Sequence, residues 1–540
     1  MSKVAHYLQE HLSGEVISSS DARRYFATDG SILQLAPSLV VYPRNENDIR
    51  KTARFSWQLA ERGRAIPLIP RGAGSDKTGA AIGSGMILSF TAYMNNILEL
   101  NSKSGDVIVE PGISLGKLQQ TLNTHGRFLP SVPPSYEYET VGGSLGNNAS
   151  GDKSLKYGSM LNYAKSLRVV LSNGEVIVTK RLSKRELSKK LGLSTFEGEI
   201  YRYVDATLEE HHDLVKHLER GTTKNNAGYN LLDVENKDGS FDLTPLIVGS
   251  QGTLGIITEA ILSSEPFDPK TTLIMAGFDS IEHLQKAIEE LRKLSELPNS
   301  IEFLDQYALN QISALNPNHL KGIIPHPTPA FLVLIEMNSA NKKSLKKADK
   351  ILSEYAVNHE SSEDLEEQQK YIQVRHAINI LNAHNEGLIH PVPLFDGAVP
   401  PERLREYLEG IYKMLSNSST KPALWGHLGD ANIFFQPKLN LGQVGDRQKV
   451  FRLIDEHTKL VLSLGGTISA SAGDGRLKTP YLEMMYGSEL YTLFKKLKNI
   501  FDPYSILNPG VKFGTGAEEL KAIIRSDFSL NHLYNNIPRS

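Results

Sequence analysis

The sequence predicts an α+β protein of more than one domain, and three observations carry that prediction. At 540 residues the chain exceeds what one ordinary core organises. Its first half alternates strand and helix patterns around several glycine-rich stretches. From about Pro266 glycine thins out while strands and helices go on alternating, which suits an α+β second domain ending in long helical patterns. A hydrophobic share of 40% with 22% charged residues is that of a globular chain.

The elements follow in order. Residues 1–36 read as a helical segment ahead of the first clear unit. Leu39 to Tyr42 is a short strand, Asn45 or Asn47 caps the helix after it, and Ile49, Ala53, Trp57 and Ala60 give that helix an apolar stripe ended by Gly63. Ala65 to Ile69 is the next strand and runs straight into a glycine-rich loop. Val107 to Val109 is a strand, and the helix behind it carries Leu115, Leu118 and Leu122 and stops at Gly126. Leu167 to Val178 alternates around Asn173-Gly174, a two-residue hairpin signal. Beyond Pro266, Thr271 to Phe278, Ile301 to Leu304 and Ala330 to Glu336 read as strands, with Ile281 to Leu294 and Asn341 to Val357 as helices. Longer helical patterns cover Glu363 to Ala383, Glu402 to Leu415, Arg447 to Leu464 and Thr479 to Phe501.

Composition removes several functions. A net charge of -2 encodes no bulk attraction to nucleic acid or anionic membrane. The basic runs Lys184 to Lys190 and Lys342 to Lys350 read as solvated helix faces. Cysteine is absent, so this chain supplies no disulfide, thiol nucleophile, cysteinyl-flavin bond or iron–sulfur ligand. No apolar run reaches the length of a membrane span, and the polar N-terminus lacks a signal-peptide core, so a cytoplasmic location is expected.

The loop Pro70 to Gly79 is the first site candidate. Gly72, Gly74 and Gly79, directly after a strand, let backbone N–H groups converge on an anion such as a diphosphate. A P-loop would need glycine where Asp76 precedes Lys77, and a G-x-G-x-x-G fingerprint would need its third glycine earlier. Alone, the loop reads equally well as a surface turn. Glu110-Pro-Gly112, the stretch Thr140 to Gly151 with Leu155 to Gly158 behind it, and Val248 to Glu259 are three more such segments in one domain. Together they suggest backbone drawn close along a long ligand.

On these motifs the chain resembles the vanillyl-alcohol-oxidase/p-cresol-methylhydroxylase superfamily, in its D-lactate, glycolate and D-2-hydroxyglutarate dehydrogenase branch. The resemblance covers about nine-tenths of the chain. It implies an FAD-binding domain of two α/β subdomains over 37–266, an antiparallel-sheet cap domain with C-terminal helices over 267–514, and a tail over 515–540. It assigns Arg71, Gly72, Ala73, Gly74, Ser75 and Gly79 to the pyrophosphate loop, with Pro111 and Gly112 ending the strand that follows. Ser135, Thr140, Gly142 and Gly143, then Asn148, Ser150, Gly151, Tyr157 and Gly158, match its flavin segments. Gly255, Ile256 and Ile257 match the adenine-side segment, with Gln251 where glutamate is usual, and Asn508 matches the C-terminal return. Ser75 at the likely histidine position and the absence of cysteine imply non-covalent FAD.

The resemblance also implies the reaction, oxidation of a 2-hydroxy acid by hydride transfer to flavin. The electron acceptor (a quinone, an electron-transfer protein or oxygen) stays open. The substrate half departs from the family: Phe434 stands in place of a histidine, and Ser471 and Ala472 in place of a Glu-His pair, in groups that bind a divalent metal there. No metal is therefore expected. Arg375 matches the substrate-carboxylate arginine and has a plain helix-surface reading beside it. Asn432 and Asp396 match the active-site edge or hold turns, and His427 reads as a hydrogen-bonded histidine near the flavin. His376, His384 and His390 are other candidate bases, while His211, His212 and His217 read as helix surface. Two further readings stay open: an FAD oxidase of another alcohol, sugar or lactone, and a flavin-binding protein without redox turnover. Alkyl transfer on flavin is disfavoured because no histidine-rich active-site segment is present.

Overall fold

The computed structural model describes residues 3–384, 387–416 and 422–528. Three sheets organise them. In the first, Leu39–Tyr42, Met86–Ser89 and Leu68–Arg71 run parallel, side by side in that order. Asn45 caps the helix Glu46–Glu61 by accepting from the Asp48 N–H, and Ile49 and Ala53 bury its apolar stripe. Gly63, at φ +70, turns the chain back toward the sheet. The third strand starts later than the sequence pattern suggests and delivers the glycine loop directly from Arg71. The return segment closes this sheet's edge, because the Leu68 N–H donates to Ile506 O and the Asn508 N–H to Leu68 O.

The N-terminal segment holds two helices, Lys3–His11 and Ser20–Tyr25, but between them Glu15–Ile17 pairs antiparallel with Leu39–Tyr42. Three residues are too few to show a period of two, so that strand was not legible. Beyond it, the Gly30 N–H donates to Gly74 O at 3.0 Å, and Leu33 bridges to Ile524. The first 36 residues and the start of the tail thus brace the glycine loop from behind.

The second sheet is antiparallel, in the order Ile97–Asn101, Asp106–Val109, Ile256–Leu262, Ala164–Val170 and Val176–Lys180. Val107, Val109, Leu167, Val169 and Ala260 share one core with Leu115, Leu118 and Leu122 of the helix Leu115–Thr124. The Asn173-Gly174 pair does sit in the hairpin turn, with Gly174 at φ +83. Val170 and Val176 are the last paired residues, so the loop is longer than two residues.

The third sheet is the cap: seven antiparallel strands ordered Asn358–Ser362, Thr271–Phe278, Phe331–Asn338, Ser300–Asp305, Leu424–His427, Asn432–Phe435 and Gly397–Ala398. Along Thr271–Phe278, Ile274, Ala276 and Phe278 pack toward helices Ile281–Leu291 and Lys342–Tyr355, whereas Met275 packs toward Gln306–Leu315 and Leu365–His376. This is the two-residue period of a strand covered on both faces. The pattern over Glu363 to Ala383 resolves into two helices, Leu365–His376 and Ile378–Ala383, meeting at Ala377. That break matters, because it sets Arg375 and Asn379 on different helices.

Candidate active site

A cavity of about 280 Å³ runs from the glycine loop, past the segment 140–150, to the cap. Its first end is made largely of backbone. Gly74 sits at φ +75, and a Cβ there would press into the Arg71 guanidinium; one on Gly72 would collide with Thr140 Oγ1. Arg71 is fully buried, with Nη1 donating to the Thr28 and Ala81 carbonyls at 2.9 and 3.1 Å. Its Nε and Nη2, and the hydroxyls of Ser144 and Ser150, are buried without a partner. Buried donors are rarely left so, and a cradle that excludes Cβ atoms and offers them fits a long phosphate-bearing cofactor.

Of the expected cofactor residues, Arg71, Gly72, Ala73, Gly74, Ser75, Pro111, Ser135, Thr140, Gly142, Gly143, Ser150, Gly255 and Ile257 line this cavity. The others lie outside the lining of this cavity and pack against the protein. Gly79, at φ +82, turns against Leu33; Gly112 passes under the Phe90 and Met94 carbonyls, and Gly151 passes against that of Val132. Gly158 is left-handed beside Asn162, and Tyr157 rests edge-on against Phe128. Ile256 belongs to the core of the first sheet. Asn148, at φ 48, ends the helix Val141–Asn147 and bonds Asn226 and the Leu161 N–H. Asn508 spans two loops, its Nδ2 donating to the Ala80 and Gln251 carbonyls at 2.8 Å each. Motif glycines report close backbone approach, whether the neighbour is a ligand or the protein itself.

Behind the loop lies a buried carboxylate that sequence reasoning missed. Asp29 accepts from Ser31 N–H and Oγ and from the Ala81 N–H. Burial, reinforced by Asp76 and opposed by Ser31 and Arg71, pushes its pKa from 3.8 up to about 7.

The other end of the cavity is built from charged side chains. Arg375 closes the helix Leu365–His376, where its Nη2 lies 3.2 Å from Asp152 Oδ1 and 2.5 Å from Glu302 Oε2. The second contact is close yet poorly aligned for a hydrogen bond. Glu302 Oε1 accepts from His427 Nδ1 at 2.8 Å, and the two residues are cross-strand partners in the cap sheet. With Nδ1–H committed to the carboxylate, Nε2 is left as the lone-pair nitrogen. Phe434 packs edge-on against the His427 ring at 5.4 Å.

Charge and burial act on each member differently. Burial raises the Glu302 pKa against the pull of Arg375 and His427. Burial also works on Asp152, but Arg375 and His427 outweigh it and hold that carboxyl below its ordinary value. Burial disfavours the charge on Arg375, yet Asp152 and Glu302 more than restore it. His376, another wall residue, is lowered by burial and then by Arg375.

Asp152 and Glu302 were not anticipated. Asp152 directly follows a motif read only for its glycines, and the signal for Glu302 was a carboxylate between the apolar residues Ile301 and Phe303 of a strand. Asn432, expected at the chemistry, is fully buried and does not line the cavity. It donates to Asp396 Oδ1 and Gly397 O and accepts from Ser471 Oγ, so it positions the wall. Asp396, Ser471, Ala472 and Phe434 do line the cavity.

Asp152, Glu302 and His427 bring three ligand atoms within 4.8 Å of one another, a set able to hold a metal ion. The Arg375 guanidinium already lies against both carboxylates, and Glu302 is further committed to His427. A divalent ion would have to displace a buried cation, so the set as built does not fit one.

Residues 37–180 match the FAD binding domain family, and residues 268–511 match the FAD linked oxidases, C-terminal domain. D-2-hydroxyglutarate dehydrogenase of Escherichia coli (strain K12) is 28% identical over 521 residues, which are 93% of this chain and 50% of that protein. The chain thus spans about half the length of that relative. Glycolate oxidase subunit GlcD of Bacillus subtilis (strain 168) is 27% identical over 518 residues, 94% of each chain. Among solved structures, 4-ethylphenol oxidase from Gulosibacter chungangensis superposes with a TM-score of 0.66 at 14% identity, over 96% of this chain and 99% of that one, a likeness of fold. The chain belongs to the FAD-linked oxidases defined by this FAD binding domain and C-terminal domain, and FAD is its cofactor. Its relatives include D-2-hydroxyglutarate dehydrogenases, a glycolate oxidase subunit and a D-lactate dehydrogenase. No helix among the described residues is long and apolar enough to cross a membrane.

Proposed function

We propose that the chain is an FAD-dependent oxidoreductase that oxidises the hydroxyl of a small 2-hydroxy acid, with FAD held non-covalently and no divalent metal in the reaction. One observation carries this reading: a single cavity joins the glycine-walled cradle to the Arg375–Glu302–His427 cluster. When bound, FAD supplies the two-electron acceptor for the hydride leaving the carbinol carbon. The glycine loop and the segment 140–150 hold the cofactor's diphosphate and flavin ends in register with the cap. His427, oriented through Nδ1 by Glu302, takes the hydroxyl proton on Nε2. Arg375 keeps a buried Nε without a partner and anchors the substrate carboxylate through it. Prolonged chelation should leave activity unchanged, because Arg375 supplies the cation beside Asp152 and Glu302.

A second reading rests on the same residues. A guanidinium already shared by two carboxylates favours a neutral alcohol, such as a sugar or lactol, over a carboxylate. Anaerobic mixing of the purified protein with hydroxy acids and with neutral polyols, following bleaching of the flavin band, separates the two. Bleaching by hydroxy acids supports the first reading, and bleaching by polyols alone supports the second. If no compound bleaches the flavin, the protein lacks this redox turnover.

A further inference from the structure

We infer that Lys478, a residue none of the motifs singles out, is a second cationic anchor of the site, binding the substrate's carboxylate. This rests on the hydroxy-acid reading above. Lys478 is 4% exposed and lines the cavity. Its Nζ has no hydrogen-bond partner. The nearest carboxylate, Asp396, is 3.7 Å away, too far for a hydrogen bond. Both oxygens of Asp396 are also taken, Oδ1 by Asn432 Nδ2 at 3.1 Å and Oδ2 by the Ser471 and Ala472 N–H groups at 2.9 and 2.7 Å. An ammonium carries three donors and is strongly hydrated in water, so burying it with none engaged is costly unless a ligand completes it.

The neighbouring cations differ in that each already engages at least one partner. Arg375 lies against two carboxylates. Lys224, also buried, stands 3.2 Å from Asp430 and 3.4 Å from Ser471 Oγ. Arg71 keeps free donors, but it belongs to the glycine loop. Lys478 is on the substrate side, since Asp396 ties it to Asn432, which is the cross-strand partner of His427.

Its seat is rigid. The Lys478 N–H donates to Asp474 O, and Asp474 is locked in a fully buried ion pair with Lys512 at 2.8 Å. A fixed ammonium with open donors, in the cavity that His427 also lines, suits a carboxylate adjacent to a carbinol carbon. Three uncharged polar residues, Asn379, Asn382 and Gln436, line the same cavity and suit the remainder of a small polar substrate.

The test titrates flavin-loaded protein with oxalate, a carboxylate that carries no oxidisable C–H bond, and with neutral acetamide, following the visible flavin spectrum. Lys478→Met should weaken oxalate at least about tenfold, Lys478→Arg should stay within about threefold of wild type, and acetamide should not distinguish them. Lys478→Gln replaces the methionine variant if that one fails to retain flavin. Unchanged oxalate affinity in both neutral variants would overturn the assignment. So would a changed flavin spectrum or potential with unchanged oxalate affinity, which would turn Lys478 toward the cofactor instead. If wild type binds oxalate but hydroxy acids do not bleach it, the reaction reading fails while the anion site stands. If wild type binds no oxalate, the anion site itself is lost.

Discussion

At the cofactor end of the cavity the wall is backbone, with Gly72, Gly74, Gly142 and Gly143 packed so that added Cβ atoms would meet protein. At the substrate end the wall carries charge, with Arg375 and His427 lining it and Asp152 and Glu302 behind them, the four drawn from four separate stretches of chain and paired to one another. A backbone wall admits little variation and fails abruptly when a side chain is added. A wall of paired side chains tolerates exchange one residue at a time, provided charge and hydrogen bonding are rebalanced. The same fold can therefore keep its cofactor while its substrate chemistry is rewritten, and Phe434, Ser471 and Ala472 lie in the part that can be rewritten.

The largest effect should come from Gly74→Val. It forces a β-branched residue to φ +75 and drives it into the Arg71 guanidinium. Flavin content of the purified variant should fall to near zero, with secondary structure by circular dichroism less affected than flavin binding. Full retention of flavin would mean that this wall is not the cradle. In wild type, all flavin should be released on denaturation; yellow colour remaining on the denatured chain would contradict non-covalent attachment.

His427→Gln comes next, at the other end. Removing a general base costs about 10²–10⁴ in rate, and flavin content should be unchanged. Rapid anaerobic mixing reads the flavin reduction step directly. A rate within threefold of wild type would assign the proton elsewhere, with His376 the nearest alternative in the wall.

Arg375→Ala should be milder: a buried guanidinium–carboxylate contact contributes about 2–5 kcal/mol, so kcat/KM should drop at least about thirtyfold, and lysine should restore little. Comparison with Lys478→Met sharpens this, since two cations sharing one carboxylate should show coupled effects in the double variant. Indifference to Arg375→Ala in an active enzyme would favour the neutral-alcohol reading.

The contrast also explains what was legible in the sequence. Gly72, Gly74, Thr140 and Gly142 were readable because a tight backbone cradle restricts residue type at each position, leaving spaced glycines as its trace. Gly79, Gly112 and Gly151 carry the same trace while packing against protein, since a backbone pressed against Leu33 or Val132 needs glycine just as one facing a ligand does. Most helices of the cap, but only three of the seven strands in its sheet, were readable from periodicity. The Glu302–His427 pair was not, because cross-strand register is a property of the assembled sheet. Lys478 was invisible because what marks it is an absence of partners.

The smallest effect concerns the brace behind the cradle and tests whether it belongs to the cofactor end. Asp29 sits next to Gly30, whose N–H holds Gly74 O. Its pKa rises from 3.8 to about 7, first through burial and then through Asp76. A folded value above the unfolded one means that the native state binds the proton more tightly. The associated stabilisation is fully present below about pH 4 and is lost as pH rises through about 7. Between those limits the slope approaches 1.4 kcal/mol per pH unit, and across pH 6–8 this group should account for about 1–2 kcal/mol. Asp29→Asn stays neutral and keeps one acceptor for Ser31, so its stability should vary less over that range. Thermal unfolding of both proteins from pH 5 to 8.5, with and without added FAD, makes the comparison. The wild-type curve should fall relative to the variant as pH rises, and flavin affinity should fall with it if the brace supports the cradle. Parallel curves would remove Asp29 from the stability of the loop; diverging stability with constant flavin affinity would make it a brace of the fold alone.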